Sequence, residues 1–222
     1  YFGRLKQSDK KPAPVVSRPQ WRAGPPDLTL EMPSEHTIPA NTSEGTADIT
    51  LPTTLTETKW VKNADLLPGA PSMVREAVIS VENGPVLAMW VPGSDPVAAP
   101  SGAAFKLPAG AKLHLQIRYK KPWQDEQVAK SDRSTVGLYF TDPPTTGREV
   151  QTLAVAAPPG DAAAPRSFAG NFTGPARVVA IRPTFDFAYG TVNVHAVTPA
   201  GSKIPLLTLS GPRPEGRRRY WL

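Results

Sequence analysis

Three observations predict an all-β chain folded as antiparallel sandwiches. Proline and glycine are abundant, 27 and 17 of 222 residues, and almost no run with helical periodicity survives between them. Proline cannot occupy a helix interior or a central strand, so its places are strand ends, edges and turns. Between the prolines, apolar and polar residues alternate in short segments. The clearest is 112–120, where Leu113, Leu115, Ile117 and Tyr119 alternate with Lys112, His114, Gln116 and Arg118. That period sends one face into a core and leaves the other outside. Short strands at fairly even spacing with this punctuation read as an antiparallel sandwich.

In chain order, residues 1–25 form an extended basic arm, in which Pro12, Pro14, Pro19 and Pro25 exclude regular structure. A first sandwich spans 26–142. Its expected strands are 27–32, 47–51, 57–67 with Trp60 as a core anchor, 73–82 with Met73, Ala77, Ile79 and Val81 inward, 86–91, 112–120 and 135–140. Thr141-Asp142-Pro143-Pro144 is the best boundary, since a proline pair resists helix and sheet alike. A second block, 143–222, offers 150–156, 177–182, 190–197 and 204–209. Four strands are few for a closed sandwich. This block therefore either leans on the first or is incomplete.

The net charge of +6 sits at the ends. Residues 1–22 hold six Lys or Arg against one Asp, and residues 212–222 hold four Arg against one Glu, leaving the body near neutral. A nucleic-acid binder shows a basic stripe across a folded face instead, so that class is set aside. Basic ends carrying aromatics suit an acidic protein partner or an anionic membrane surface. The candidate docking residues are Tyr1, Phe2, Arg4, Lys6 and Trp21 at one end, with Arg217, Arg218, Arg219, Tyr220 and Trp221 at the other. With no cysteine there is no disulfide, thiolate metal site or Cys nucleophile. No apolar run reaches the roughly 18 residues that span a bilayer as a helix. The first residue is Tyr1, so a cleaved signal peptide or an anchor upstream is expected.

Several ordered fragments carry a family likeness. They are Pro26-Asp27-Leu28, Leu51-Pro52 followed by Trp60-Val61, Trp90-Val91-Pro92-Gly93, and Phe105-Lys106-Leu107-Pro108-Ala109-Gly110. Leu115-Gln116-Ile117, Val136-Gly137-Leu138-Tyr139-Phe140 and Thr198-Pro199-Ala200-Gly201 before Leu206-Leu207 continue the series. In order and spacing they resemble the copper type II, ascorbate-dependent monooxygenases that hydroxylate peptidylglycine or catecholamine substrates. The likeness runs from about Pro26 to Leu222. It implies two antiparallel jelly-roll sandwiches side by side, the second shortened here.

The resemblance also implies one copper per domain, and the ligand positions have changed. Arg75-Glu76 stands where the first domain has a His pair, and Arg118 where it has a third His. In the second domain Thr184, Phe185 and Asp186 take the places of His-Met-His. Copper cycling between oxidation states needs neutral imidazole or thioether donors. Arginine stays protonated and offers no lone pair. The expectation is therefore no cofactor, no metal and no catalysis. A Glu between two Arg would hold its strands together as a charge-assisted cluster; capture of a small anion by the two Arg is the functional alternative.

Other candidates are weaker. His36, His114 and His195 lie far apart, without metal-ligand spacing. His195 should point away from the core. No Gly-x-Ser-x-Gly elbow or phosphate-cradling loop is present. Phe185, Phe187 and Tyr189 make one aromatic face for packing or a partner. The expected function is a copper-free, accessory subunit of a membrane-associated complex, in an electron-transfer or photosynthetic setting, on the periplasmic or extracellular side. The alternatives are an oxidoreductase with an unorthodox copper site, and a carbohydrate- or peptide-binding sandwich.

Overall fold

The computed structural model describes residues 20–145, 148–156, 166–184, 190–211 and 219–222. Strands β1 (Leu28–Glu31), β2 (His36–Ile38), β3 (Glu44–Pro52), β4 (Lys59–Leu67) and β5 (Val74–Val81) come first. Then follow β6 (Val86–Trp90), β7 (Phe105–Leu107), β8 (Lys112–Lys120), a 3₁₀ turn at Trp123–Asp125, β9 (Lys130–Asp132) and β10 (Thr135–Thr141). Beyond the proline pair lie β11 (Ala180–Ile181), β12 (Thr191–Val197), β13 (Lys203–Ser210) and β14 (Tyr220–Trp221). The described residues contain no α-helix, and the chain is all-β.

Two four-stranded antiparallel sheets, β1-β10-β4-β7 and β3-β8-β5-β6, enclose the core, with β2-β9 as a short separate pair. Alternation sets what each strand buries. On β8 the residues Leu113, Leu115, Ile117 and Tyr119 are each 0% exposed, while the residues between them face outward. Val61, Ala64 and Leu66 of β4 and Val136 and Leu138 of β10 supply the opposite wall. Each such Leu or Ile contributes about 1.5–3 kcal/mol through burial. Met73, Ala77, Ile79 and Val81 are buried as their alternation requires.

Two polar devices brace one end of this sandwich. Asp132, 1% exposed, accepts hydrogen bonds from the Tyr119 hydroxyl at 3.0 Å, the Ser134 hydroxyl at 2.7 Å and the Ala70 N–H at 2.7 Å. Burial and the adjacent carboxylate push the Tyr119 phenol well above its ordinary pKa, so it stays a donor. His36 stacks on the Tyr119 ring at 5.2 Å. Lys121, 3% exposed, donates to the carbonyls of Pro39, Glu126 and Val128 at 2.8, 3.0 and 2.8 Å. Three acceptors match the three donors of an ammonium group, so the buried charge is fully bonded.

The chain preceding β1 covers the outer face of β4 and β10. Gly137 has no side chain because none fits: a Cβ there would lie 2.9 Å from the Trp21 ring and 3.0 Å from Pro26. Tyr139 reaches across to the Gly24 carbonyl at 2.8 Å.

After Thr141 the character changes. No described residue from 142 onward is buried. β12 and β13 form an isolated antiparallel pair, and β11 pairs only with β14. Among the described residues, the chain is tied back to the sandwich around Ala104 and at Arg219. Ala104 donates to Arg148 O at 3.2 Å and accepts from Val150 N at 2.9 Å. Arg219 donates to the carbonyls of Val86 and Leu87 on β6 and lies over the rings of Phe105 and Trp221.

Four expectations are corrected. Residues 150–156 form no strand, because no neighbouring strand pairs with them. The strand expected over 177–182 contracts to Ala180–Ile181. Trp60 is half-exposed and Val61 takes the core position, because the β4–β10 register shifts at Tyr139/Phe140. The second sandwich expected over 143–222 consists, among its described residues, of the two separate strand pairs.

Candidate functional site

The outer face of the sheet β3-β8-β5-β6 carries the residues singled out by sequence. Its centre is β8, hydrogen-bonded on both sides. Arg118 lies opposite Thr46 of β3 and Glu76 of β5; Gln116 lies between Asp48 and Val78; His114 lies between Thr50 and Ser80. A β-bulge in β5 brings Arg75 into this group. The register steps from Val74↔Tyr119 directly to Glu76↔Arg118, so two residues of β5 oppose one of β8. Without it, strict alternation would send either Arg75 or Glu76 inward. With it, Val74 and Ala77 are both 0% exposed and the two charged residues between them stay outside.

The rest of this face is satisfied internally. Lys120 donates to Glu44 at 2.7 Å, and Gln116 to Asp48 at 2.9 Å. His114 Nε2 stands 3.2 Å from the same Asp48 carboxylate. The hydrogen bond and charge of Lys120, helped by Arg118, hold the Glu44 carboxyl below the usual carboxylate range. Solvent screens cross-strand pairs that are exposed in this way, so they set register more than they stabilise the sheet.

The copper implied by the resemblance does not fit this donor set. Arg75 and Arg118 present guanidinium groups, which offer no lone pair and repel a cation. Glu76 supplies a carboxylate directly opposite one of them. His114 is two outward positions along β8, about 13 Å away at strand spacing, and its Nε2 engages Asp48.

The other expected positions are dispersed. Thr184 is exposed, and Phe185, Asp186, Phe187 and Tyr189 lie outside the described residues. His195 is exposed on β12, as its alternation requires. Of the docking candidates, Tyr1, Phe2, Arg4, Lys6, Arg217 and Arg218 also lie outside the described residues. Trp21 is half-buried over Gly137. Arg219 is largely covered by its own sandwich, and its burial, with Arg182 nearby, brings its pKa down to about 10. Tyr220 and Trp221 are half-buried as β14. These four therefore make intramolecular contacts that the composition of the ends did not suggest.

Sequence reasoning passed over three features. Lys121 and Asp132 bear no motif, and only the folded chain brings their partners to them. Trp123, in the turn after β8, is 83% exposed although it is a large aromatic. A shallow groove of about 320 Å³ also runs between Met32–His36 and residues 46–49 of β3.

Comparison with family models, curated proteins and solved structures finds no match for this chain. No helix among the described residues is long and apolar enough to cross a membrane.

Proposed function

We propose that this chain is a non-catalytic, copper-free module of monooxygenase-like ancestry, serving as an accessory subunit of a membrane-associated complex outside the cytoplasm. One observation carries the reading. Arg75, Glu76 and Arg118 converge on one outward face through the β5 bulge and the β5–β8 register. A face built from two guanidiniums and a carboxylate suits polar contacts and strand cohesion, and it is unsuited to redox-metal chemistry. The basic ends support attachment to an acidic partner or anionic surface, with a near-neutral body between them.

Two measurements test it together. Purified protein equilibrated with copper and then desalted should retain far less than one metal per chain. Native protein from solubilised membranes should co-purify with defined partner chains at low salt and separate from them at high salt. Tight stoichiometric copper would overturn the copper-free reading. A monomer at every ionic strength would overturn the subunit reading.

A further inference from the structure

The 3₁₀ turn after β8 displays an aromatic side chain on a loop braced by hydrogen bonds. Trp123 is 83% exposed and Val128, five residues on, is 53% exposed. The loop between them is held from beneath by Lys121, whose ammonium donates to Glu126 O and Val128 O and, outside the loop, to Pro39 O. Turn bonds from Asp125 N to Pro122 O and Val128 N to Asp125 O tighten it, at 2.9 and 3.1 Å. Lys130 pairs with Asp125 at 3.4 Å, and Asn41 N–H donates to Glu126 O at 2.7 Å, fixing the adjoining β2–β3 loop against it. A loop braced in this way presents its indole with little ordering entropy left to lose on binding.

The chemistry around that indole is selective. Exposed neighbours on the two loops are the amides of Gln124, Gln127 and Asn41 and the carboxylate of Glu126. The lysines of the loop and its edge are engaged: Lys121 on carbonyls, Lys130 on Asp125, Lys120 on Glu44. An anionic lipid surface or a nucleic-acid backbone needs free positive charge here, and the loop instead offers a carboxylate. A protein interface needs about 800 Å² from each partner. One indole buries only about 150–250 Å², close to the area of one or two sugar rings.

We propose that the Trp123 loop is a binding site for a neutral saccharide, whose C–H face stacks on the indole while Gln124, Gln127, Asn41 and Glu126 take its hydroxyls. Amides and a carboxylate supply both donors and acceptors, as vicinal hydroxyls require. The site is independent of the copper-free reading and lies on the loop that follows the Arg118 end of β8.

The test titrates the full chain with soluble glucose and N-acetylglucosamine hexamers, α- and β-linked, following indole N–H resonances and tryptophan fluorescence. At least one hexamer should shift the Trp123 resonance saturably. Trp123→Ala should weaken that binding more than about tenfold with an unchanged melting profile, since the side chain is exposed. Trp123→Tyr should restore part of it, and Gln127→Ala should weaken it less than Trp123→Ala. Absence of binding to every hexamer would overturn the proposal, as would binding that Trp123→Ala leaves intact. Trp123-dependent sedimentation with anionic phosphatidylserine vesicles would replace it with a membrane site. Trp123-dependent self-association would replace it with a protein contact.

Discussion

Residues 20–141 and residues 142–222 are built from similar strands but reach different ends. In the first stretch every long strand has neighbours, and two sheets face each other across side chains such as Leu115 and Ile117 at 0% exposure. In the second, β12 alternates as cleanly as β8 does, yet Val192, Val194 and Ala196 are only half-buried. The difference is the absence, among the described residues, of an opposing sheet. A two-stranded ribbon is marginal in water, since burial there offsets little of the ordering entropy. Alternation creates an apolar face, and only a second layer turns that face into stability.

The contrast can be broken most forcefully in the first stretch. Asp132→Ala leaves the Tyr119 hydroxyl, the Ser134 hydroxyl and the Ala70 N–H without their acceptor. It should lower unfolding free energy by about 4 kcal/mol in urea titration. A loss under about 1 kcal/mol would mean that water replaces the carboxylate and that the network is not closed. Leu115→Ala should cost about 3 kcal/mol, whereas Leu207→Ala on β13 should cost less than about 1 kcal/mol because its side chain is only half-buried. Equal losses would show that the ribbon has a core of its own.

Arg219→Met probes the tie between the two stretches. It removes the donors to Val86 O and Leu87 O and should speed hydrogen exchange at Leu222 N–H, now bonded to Val179 O at 3.0 Å. The amide protons of β8 should be unaffected. Uniform acceleration in both stretches would show that they unfold as one unit.

Asp65 gives a smaller, pH-dependent test. Burial raises its pKa, so the folded state holds a proton that the unfolded chain has already released. The charged form therefore destabilises the fold above the raised pKa, and stability from this group increases as pH falls toward the ordinary carboxylate value. Asp65→Asn should accordingly raise the urea midpoint at pH 7, with the gain closing as the pH approaches 4. An advantage independent of pH would exclude this cause. Smallest of all, a Glu76→Ala and Arg118→Ala double-mutant cycle should show coupling of about 0.5 kcal/mol.

The two stretches also differ in how much their sequence discloses. Leu113, Leu115, Ile117 and Tyr119 could be placed inward by alternation alone, and the strand at 191–197 follows the same rule. β2, β7 and β9 span three residues each, too few for a period to be visible. Val150 to Ala156 has the right residue types and no strand beside it. Trp60 looked like a core residue by size, but the register shift opposite Tyr139/Phe140 gives that place to Val61. At the candidate site, the side-by-side placement of Arg75 and Arg118 was expected from resemblance. The bulge that admits both Arg75 and Glu76 to one face leaves no mark in composition. The exposure of Trp123 and the bracing of its loop were not legible either, because Lys121 is held jointly by carbonyls of its own loop and by Pro39 O, 82 residues away.

By itself, then, the order of residues determined that this chain forms antiparallel strands, which face of β8 turns inward, and where its charges concentrate. Those are properties of neighbours one and two positions apart, where steric alternation and proline's missing N–H act directly. Only the tertiary structure decided which stretch acquired a core, which basic and aromatic side chains fold back onto their own sandwich, and which tryptophan remains in water. Those outcomes depend on contacts across tens of residues, where packing against a second layer outweighs any local preference.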